Sequence, residues 1–256
     1  MTGLQAPLAR PRNGTVPSPD SAGEILVARL AGFVPLSPDD RTALSQLARR
    51  ETYVPAHMDL VHEGEATDSA FLVLEGIACR YVENAAGARQ ILALLLPGDL
   101  CDTDLGHLTQ WDHGIAALSP CQVTRVPRTK LEGLIATHPA VTQAFRLAKL
   151  EAEARSRNWL AALGICRATE RLTRVLCEIL DRLHAVGLSG PSDCPLPLTQ
   201  MDLAECIGTS SVHVNRTLQE LRRSGTMELK GGRLRILDRA GLEALNGHRR
   251  PPLPNV

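Results

Sequence analysis

Net charge is the first thing this chain of 256 residues lacks. Its 28 Lys and Arg are matched by 28 Asp and Glu, so bulk charge singles out no partner. Paired cysteines are lacking too. The seven present (79, 101, 121, 166, 177, 194 and 206) are odd in number and irregular in spacing, with no C-x-x-C. That argues against a disulfide framework and a compact zinc site, and for reduced thiols in a cytoplasmic protein. No basic-then-apolar leader opens the chain, and no apolar run approaches the ~18 residues of a membrane span, so neither export nor membrane insertion is expected. The apolar stretch 91–96 reads as a buried strand. No Ser-His-Asp grouping or carboxylate pair stands in a catalytic setting, so no catalytic residue, metal ligand or cofactor is assigned.

The charges that are present are unevenly placed. Residues 165–256 carry 13 Lys/Arg against 10 Asp/Glu, a formal +3, which leaves −3 for residues 1–164. Residues 1–22, with four prolines and no apolar period, read as a disordered tail, and 248–256 as a second tail. A helix with Ile25, Leu26, Leu30 and Phe33 follows, then another capped by Ser37 with Pro38 at its first position. From 51 to 126 short apolar runs alternate with turn residues, giving candidate strands at 51–54, 58–62, 70–75, 77–83, 89–96, 114–118 and 121–126. This spacing implies a jelly roll or sandwich filling a domain at 23–137. A long helix at 138–164 follows, expected to break at Gly164. Its positions Val141, Phe145, Ala148, Ala152, Arg155, Trp159 and Ala162 alternate four and three residues apart, the seam of a helix pair and hence of a homodimer.

The most specific segment lies in the last domain, 165–247. Thr199 opens a short helix with Asp202 at capping-box spacing. Ala204 is small enough for a second helix to cross closely, and Gly208 supplies the turn. The second helix places Val214, Leu218 and Leu221 on one face. The opposite face carries Val212, Asn215, Arg216, Gln219 and Arg223, side chains able to read guanine and adenine edges or a thymine methyl. Two apolar strands about Gly231-Gly232, decorated by Lys230, Arg233 and Arg235, complete a winged helix-turn-helix. Double-stranded DNA is the expected partner. The candidate DNA-contacting residues are Thr199, Gln200, Ser210, Ser211, Val212, His213, Asn215, Arg216 and Gln219.

A jelly roll, a long pairing helix and a winged helical hairpin in that order resemble the Crp/Fnr family of transcription regulators, an α+β architecture with a cyclic-nucleotide-binding-like sensor domain. The motifs that carry the resemblance are Gly64-Glu65 ahead of Phe71-Leu-Val-Leu-Glu-Gly76, Leu96-Pro-Gly-Asp-Leu100, and the stretch 198–225. The resemblance implies a homodimer on a palindromic operator, with Thr199 and Gln200 against the phosphate backbone and RNA polymerase as a further partner. Three departures matter. Val212 stands where well-known members carry a Glu that accepts from cytosine. No Lys or Arg occurs from 90 to 124, where cyclic-nucleotide binders hold the phosphate, and Asp99, Asp102, Asp104 and Asp112 stand there instead. Arg89 is the nearest candidate cation and is expected to point to solvent. Finally, the first cysteine is Cys79, too late for the N-terminal cluster ligands of the oxygen sensors. The effector is therefore expected not to be cyclic AMP, and its identity stays open.

His107 and His113 lie near Cys101, Asp102, Asp104 and Trp111, but a spacing of six residues fits no compact metal motif, and both are read as solvated or hydrogen-bonded. Cys101 and Cys121 are read as buried apolar cysteines. His213 is placed either on phosphate or against the wing. Two rival readings remain: a ligand-binding jelly roll whose helical tail makes only protein contacts, and an enzyme built on the jelly roll.

Overall fold

The computed structural model describes residues 19–48, 51–66, 68–102 and 109–245. Helix α1 (Pro19–Ala31) begins inside the segment expected to be tail, with a proline preset for the first helical turn; the remainder of both tails lies outside the described residues. Helix α2 (Pro38–Leu47) is capped as its sequence predicts. Ser37 Oγ accepts from the Asp40 amide at 3.2 Å, and the Asp40 carboxylate accepts from the Ser37 amide at 3.0 Å.

Eight strands follow: β1 (Glu51–Val54), β2 (Asp59–Val61), β3 (Ser69–Glu75), β4 (Ala78–Glu83), β5 (Arg89–Leu95), β6 (Leu100–Cys101), β7 (Gly114–Ala117) and β8 (Cys121–Pro127). They form two antiparallel four-stranded sheets, ordered β1-β8-β3-β6 and β2-β7-β4-β5. All seven expected strands are present; β6 is an addition, too short to leave a period in the sequence. Gly76 turns β3 into β4 with φ 83°, and a Cβ there would meet the Pro120 carbonyl oxygen at 2.3 Å, so only glycine fits. One core packs Leu72, Leu74, Ile115, Val123 and Trp111 with Leu26, Leu30 and Leu44 of the first two helices.

Helix α3 (Arg128–Thr137) was not anticipated: it buries only Leu131 and Leu134 and lacks a side-chain cap. Helix α4 (Pro139–Ile165) runs through Gly164 and ends at Cys166, whose backbone is extended. An interior glycine costs a helix only about 1 kcal/mol, too little to stop one already established. Helix α5 (Ala168–Ala185), strand β9 (Asp193–Pro195), helices α6 (Gln200–Ile207) and α7 (Ser211–Arg223), strands β10 (Met227–Lys230) and β11 (Arg233–Ile236), and helix α8 (Arg239–Leu245) make the last domain. β9 adds to the hairpin as a third strand, in the order β10-β11-β9.

The two halves share one core. Ile77, Cys79, Ile91, Leu94 and Leu118 of the β domain belong to the same buried cluster as Leu172, Leu176, Leu203, Ile207 and Leu218. Gln90 Nε2 donates to the Glu205 carbonyl at 2.7 Å, which ties β5 to α6.

Candidate nucleic-acid interface

Local chemistry builds the helical pair. Thr199 Oγ1 accepts from the Asp202 amide at 3.1 Å, and Asp202 Oδ2 accepts from the Thr199 amide at 2.7 Å, so two orphan donors at the start of α6 are satisfied reciprocally. Gly208 closes α6 in the left-handed region at φ 62°, where a side chain is disfavoured. Ser210 then caps α7, its Oγ accepting from the His213 amide at 3.3 Å. Ala204 is buried, and its missing bulk lets the two helices approach.

Val214, Thr217, Leu218 and Leu221 of α7 are buried. Val212 is 70% exposed, and His213, Asn215, Arg216, Gln219 and Arg223 share its exposure. Gln219 Nε2 donates to Asn215 Oδ1 at 3.3 Å, which holds two base-edge amides side by side. Thr199, Gln200 and Ser210 are exposed at the helix starts, and Ser211 is half-buried. All nine candidate DNA-contacting residues thus lie on or beside the α6–α7 pair.

Beyond α7, Gly231 and Gly232 both have positive φ (58° and 71°), the backbone a two-residue hairpin turn requires. Lys230, Arg233 and Arg235 are exposed on the wing. Arg233 pairs with Asp193 of β9, so Lys230 and Arg235 are the wing cations best able to meet phosphate. Arg222 Nη2 donates to the Leu229 carbonyl at 2.9 Å and fixes the wing against α7.

The seam of α4 faces inward. Val141 and Phe145 are buried in the β-domain core, and Ala148 packs against it. Arg155 pairs with Glu151 at 2.8 Å, Trp159 Nε1 donates to Glu178 of α5 at 2.8 Å, and Ala152 lines a cleft. A four-and-three spacing marks any buried helix stripe, whether its partner is the same chain or another. The large apolar side chains that α4 leaves exposed are Leu150, Leu160 and Ile165.

Arg89 does not point to solvent, and this corrects the sequence reading. Its guanidinium lies 3.7 Å from the Tyr81 ring centroid, donates to Cys79 Sγ at 3.2 Å and approaches Glu205 of α6 at 3.6 Å. The turn Asn84–Gly87 folds back on itself, and the strand that follows faces the last domain rather than water.

A cluster that the sequence did not reveal joins α1, the 96–99 turn, α4 and α5. Arg29, Arg155 and Arg182 interleave with Asp99, Glu151 and Glu178. Burial pushes the Asp99 carboxyl up, but Arg182, Arg29 and Arg155 together hold it below its ordinary value. Glu151 is likewise held down by Arg29 and Arg155 against its burial. The cluster floors a cleft of about 580 Å³ between the β domain and α4. The stretch 90–124 has no cation of its own, but the cleft beside it is not cation-free: β4, α1, α4 and α5 bring Arg80, Arg29, Arg155 and Arg182 to it. His107 and Asp104 lie outside the described residues. Of the two alternatives given for His113, the hydrogen-bonded one holds: the residue is buried, with Nδ1 2.6 Å from Asp112 Oδ1. Cys101 and Cys121 are buried, and burial pushes the Cys101 thiol up to about 12 despite the neighbouring Arg80.

Among the described residues no helix is long and apolar enough to cross a membrane. Residues 51–138 match the cyclic nucleotide-binding domain family, and residues 170–245 the Crp-like helix-turn-helix domain family. The chain is 30% identical over 185 residues to the nitrogen fixation regulation protein FixK of Bradyrhizobium diazoefficiens, covering 72% of this chain and 76% of that one. It is 26% identical to the transcriptional activator protein FnrL of Cereibacter sphaeroides, over 82% of this chain and 87% of that one. The structure of FixK2 from Bradyrhizobium japonicum shares the fold, with a TM-score of 0.69 at 23% identity over 78% of this chain and 98% of that one. These relatives are regulators rather than enzymes. The cap-and-turn chemistry of α6 and α7, the wing, the β domain ahead of them and the likeness to FixK lead to one conclusion: this chain is a DNA-binding transcription regulator and belongs to the Crp/Fnr family.

Proposed function

We propose that the protein works in the cytoplasm as a homodimer that reads a palindromic operator, one half-site per α7. The observation that carries this reading is the outward face of α7, where Arg216, Asn215 and Gln219 are exposed opposite the buried Val214, Leu218 and Leu221. Arg216 reads a guanine edge, the Asn215–Gln219 pair reads adenine, and Val212 meets a thymine methyl. Thr199, Gln200, Ser210, Ser211 and His213, with Lys230 and Arg235 of the wing, hold phosphates and set the register.

Pairing runs along α4. With Val141, Phe145, Arg155 and Trp159 engaged inside the protomer, the partner helix meets the exposed side through Leu150 and Leu160, and Ala152 lies at its edge. RNA polymerase is the further partner. The effector enters the cleft beside α4 and is not cyclic AMP: Arg29, Arg80, Arg155 and Arg182 are all paired with carboxylates, so a phosphate would have to break an existing ion pair to find a donor fork. Gel-shift assays against fragments of the source genome test the reading. Retardation of a few fragments, resistant to excess unrelated DNA and weakened by salt, supports it; equal binding of all fragments, or none, counts against it.

A further inference from the structure

Cys101 at the end of β6, Asp102 after it and His113 before β7 bring a thiol, a carboxylate and an imidazole together, with one ligand atom from each lying within 4.8 Å of the others. Asp102 Oδ2 accepts from Cys101 Sγ at 3.3 Å and faces His113 Nε2 at 3.6 Å. His113 is 8% exposed, and its Nε2 has no hydrogen-bond partner among the described residues. On the far side of the ring, Nδ1 meets Asp112 Oδ1 at 2.6 Å. With Nδ1 engaged there, Nε2 is the ring atom turned toward the Asp102 carboxylate.

From this geometry we infer that Cys101, Asp102 and His113 form a site for a divalent transition metal, with ligand atoms Sγ, Oδ2 and Nε2. The donor set mixes one soft, one intermediate and one hard ligand, which suits Zn²⁺, Fe²⁺ or Co²⁺ and not the oxygen-seeking Mg²⁺ or Ca²⁺. Tetrahedral ligands at ordinary metal distances stand about 3.3–3.8 Å apart, so a closure of roughly 1 Å completes the site. Three protein ligands leave a fourth position open, and Asp102 and His113 both border the cleft. The surroundings fit a metal as well. Asp112 orients the imidazole as carboxylates behind metal-binding histidines do, and Trp111 packs edge-on at 5.6 Å between ring centroids. Arg80 holds the other carboxylate oxygen, Asp102 Oδ1, at 3.3 Å and donates to Cys101 Sγ at 3.4 Å. On binding, the metal takes the place of the thiol proton, which leaves to solvent. The thiolate and the two aspartates are then balanced by Arg80 and the dication, so the site is neutral. The sequence placed these residues near one another but paired His113 with His107; the fold instead brings it to Cys101 and Asp102 at the edge of the opposite sheet.

The inference is independent of the DNA-binding reading, and its test uses no DNA. Untagged full-length protein is titrated anaerobically with Co²⁺. The expected result is one Co²⁺ per chain, with visible ligand-field bands of a tetrahedral site and a near-ultraviolet thiolate-to-cobalt band, both bleached by Zn²⁺. Cys101→Ala abolishes the thiolate band, Asp112→Asn weakens binding about 10–100-fold, and Cys166→Ala changes nothing. Melting temperatures of the variants are compared first; if Cys101→Ala fails to fold, the wild-type titration and Asp112→Asn decide the matter. Absent or substoichiometric binding in the wild type, or a thiolate band that survives in folded Cys101→Ala, overturns the inference.

Discussion

At the scale of single residues, two side chains carry most of the account. Arg216 stands exposed at the middle of α7, and its replacement by Ala is expected to cost about 1–3 kcal/mol of specific binding and to relax preference at one base per half-site. Affinity measured against a set of single-base operator variants checks this; unchanged affinity and preference would mean that another face enters the groove. Asp99 is the second. Its carboxyl and that of Glu151 are held below their ordinary values of 3.8 and 4.5, so the unfolded chain binds more protons than the folded one at acid pH. Their contribution is therefore complete above about pH 5 and is lost as pH falls below those values toward the lower native ones. Asp99→Asn leaves Arg182 and Arg29 short of a partner in a buried site, and is expected to destabilise by about 3–5 kcal/mol at neutral pH. It should also flatten the acid limb of the stability profile. Calorimetric melting from pH 3 to pH 7 reads both effects; a variant with wild-type acid sensitivity would contradict the role given to Asp99.

At the scale of elements, the proposed pairing rests on α4. One stripe, Val141, Phe145 and Ala148, is committed to the β domain, while Leu150 and Leu160 are 57% and 72% exposed. Glu at both positions places like charges across a helix pair, so Leu150→Glu with Leu160→Glu is expected to yield a folded monomer in sedimentation. Glu at Ala148 and Ala152 instead injures the protomer itself, through the core and the cleft. A dimer surviving the first pair would move the interface elsewhere. This helix also shows what could be read from the sequence and what could not. Its length and four-and-three stripe were plain, because they depend on neighbours three and four residues away. Whether the stripe met its own sheet or a second chain was not, because that depends on residues a hundred positions distant. The same division runs through the rest of the chain. Caps at Ser37 and Thr199, the turn at Gly208 and the Gly231-Gly232 hairpin are local chemistry and appear where expected. The inward turn of Arg89 and the Arg29–Asp99–Arg182 cluster are products of the tertiary fold and left no local signal; Cys101, Asp102 and His113 are close in sequence, but only the fold shows that their ligand atoms converge. The proposed DNA-facing side was readable because a single helix carries it; the cleft was not, because helices and strands distant in sequence build it.

At the scale of the whole molecule, the β domain and the winged domain share a buried core, so events in the cleft have a packed route to α6 through β5 and α5. At one end of that route Arg182 donates to the Leu94 carbonyl at 3.1 Å, and at the other Gln90 donates to that of Glu205. Cyclic AMP is expected not to use this route. Titration calorimetry should detect no binding at physiological nucleotide levels; micromolar binding that also raised operator affinity would show that the paired arginines of the cleft can exchange partners for a phosphate. Selection of bound duplexes from a random-sequence library by the full-length protein, followed by sequencing, decides whether this molecule reads an operator. The expected result is enrichment of an inverted repeat whose half-sites lie about one helical turn apart, with Arg216→Ala relaxing the preference at one base of each half-site. Enrichment of no motif, or of a single unrepeated half-site, would contradict it.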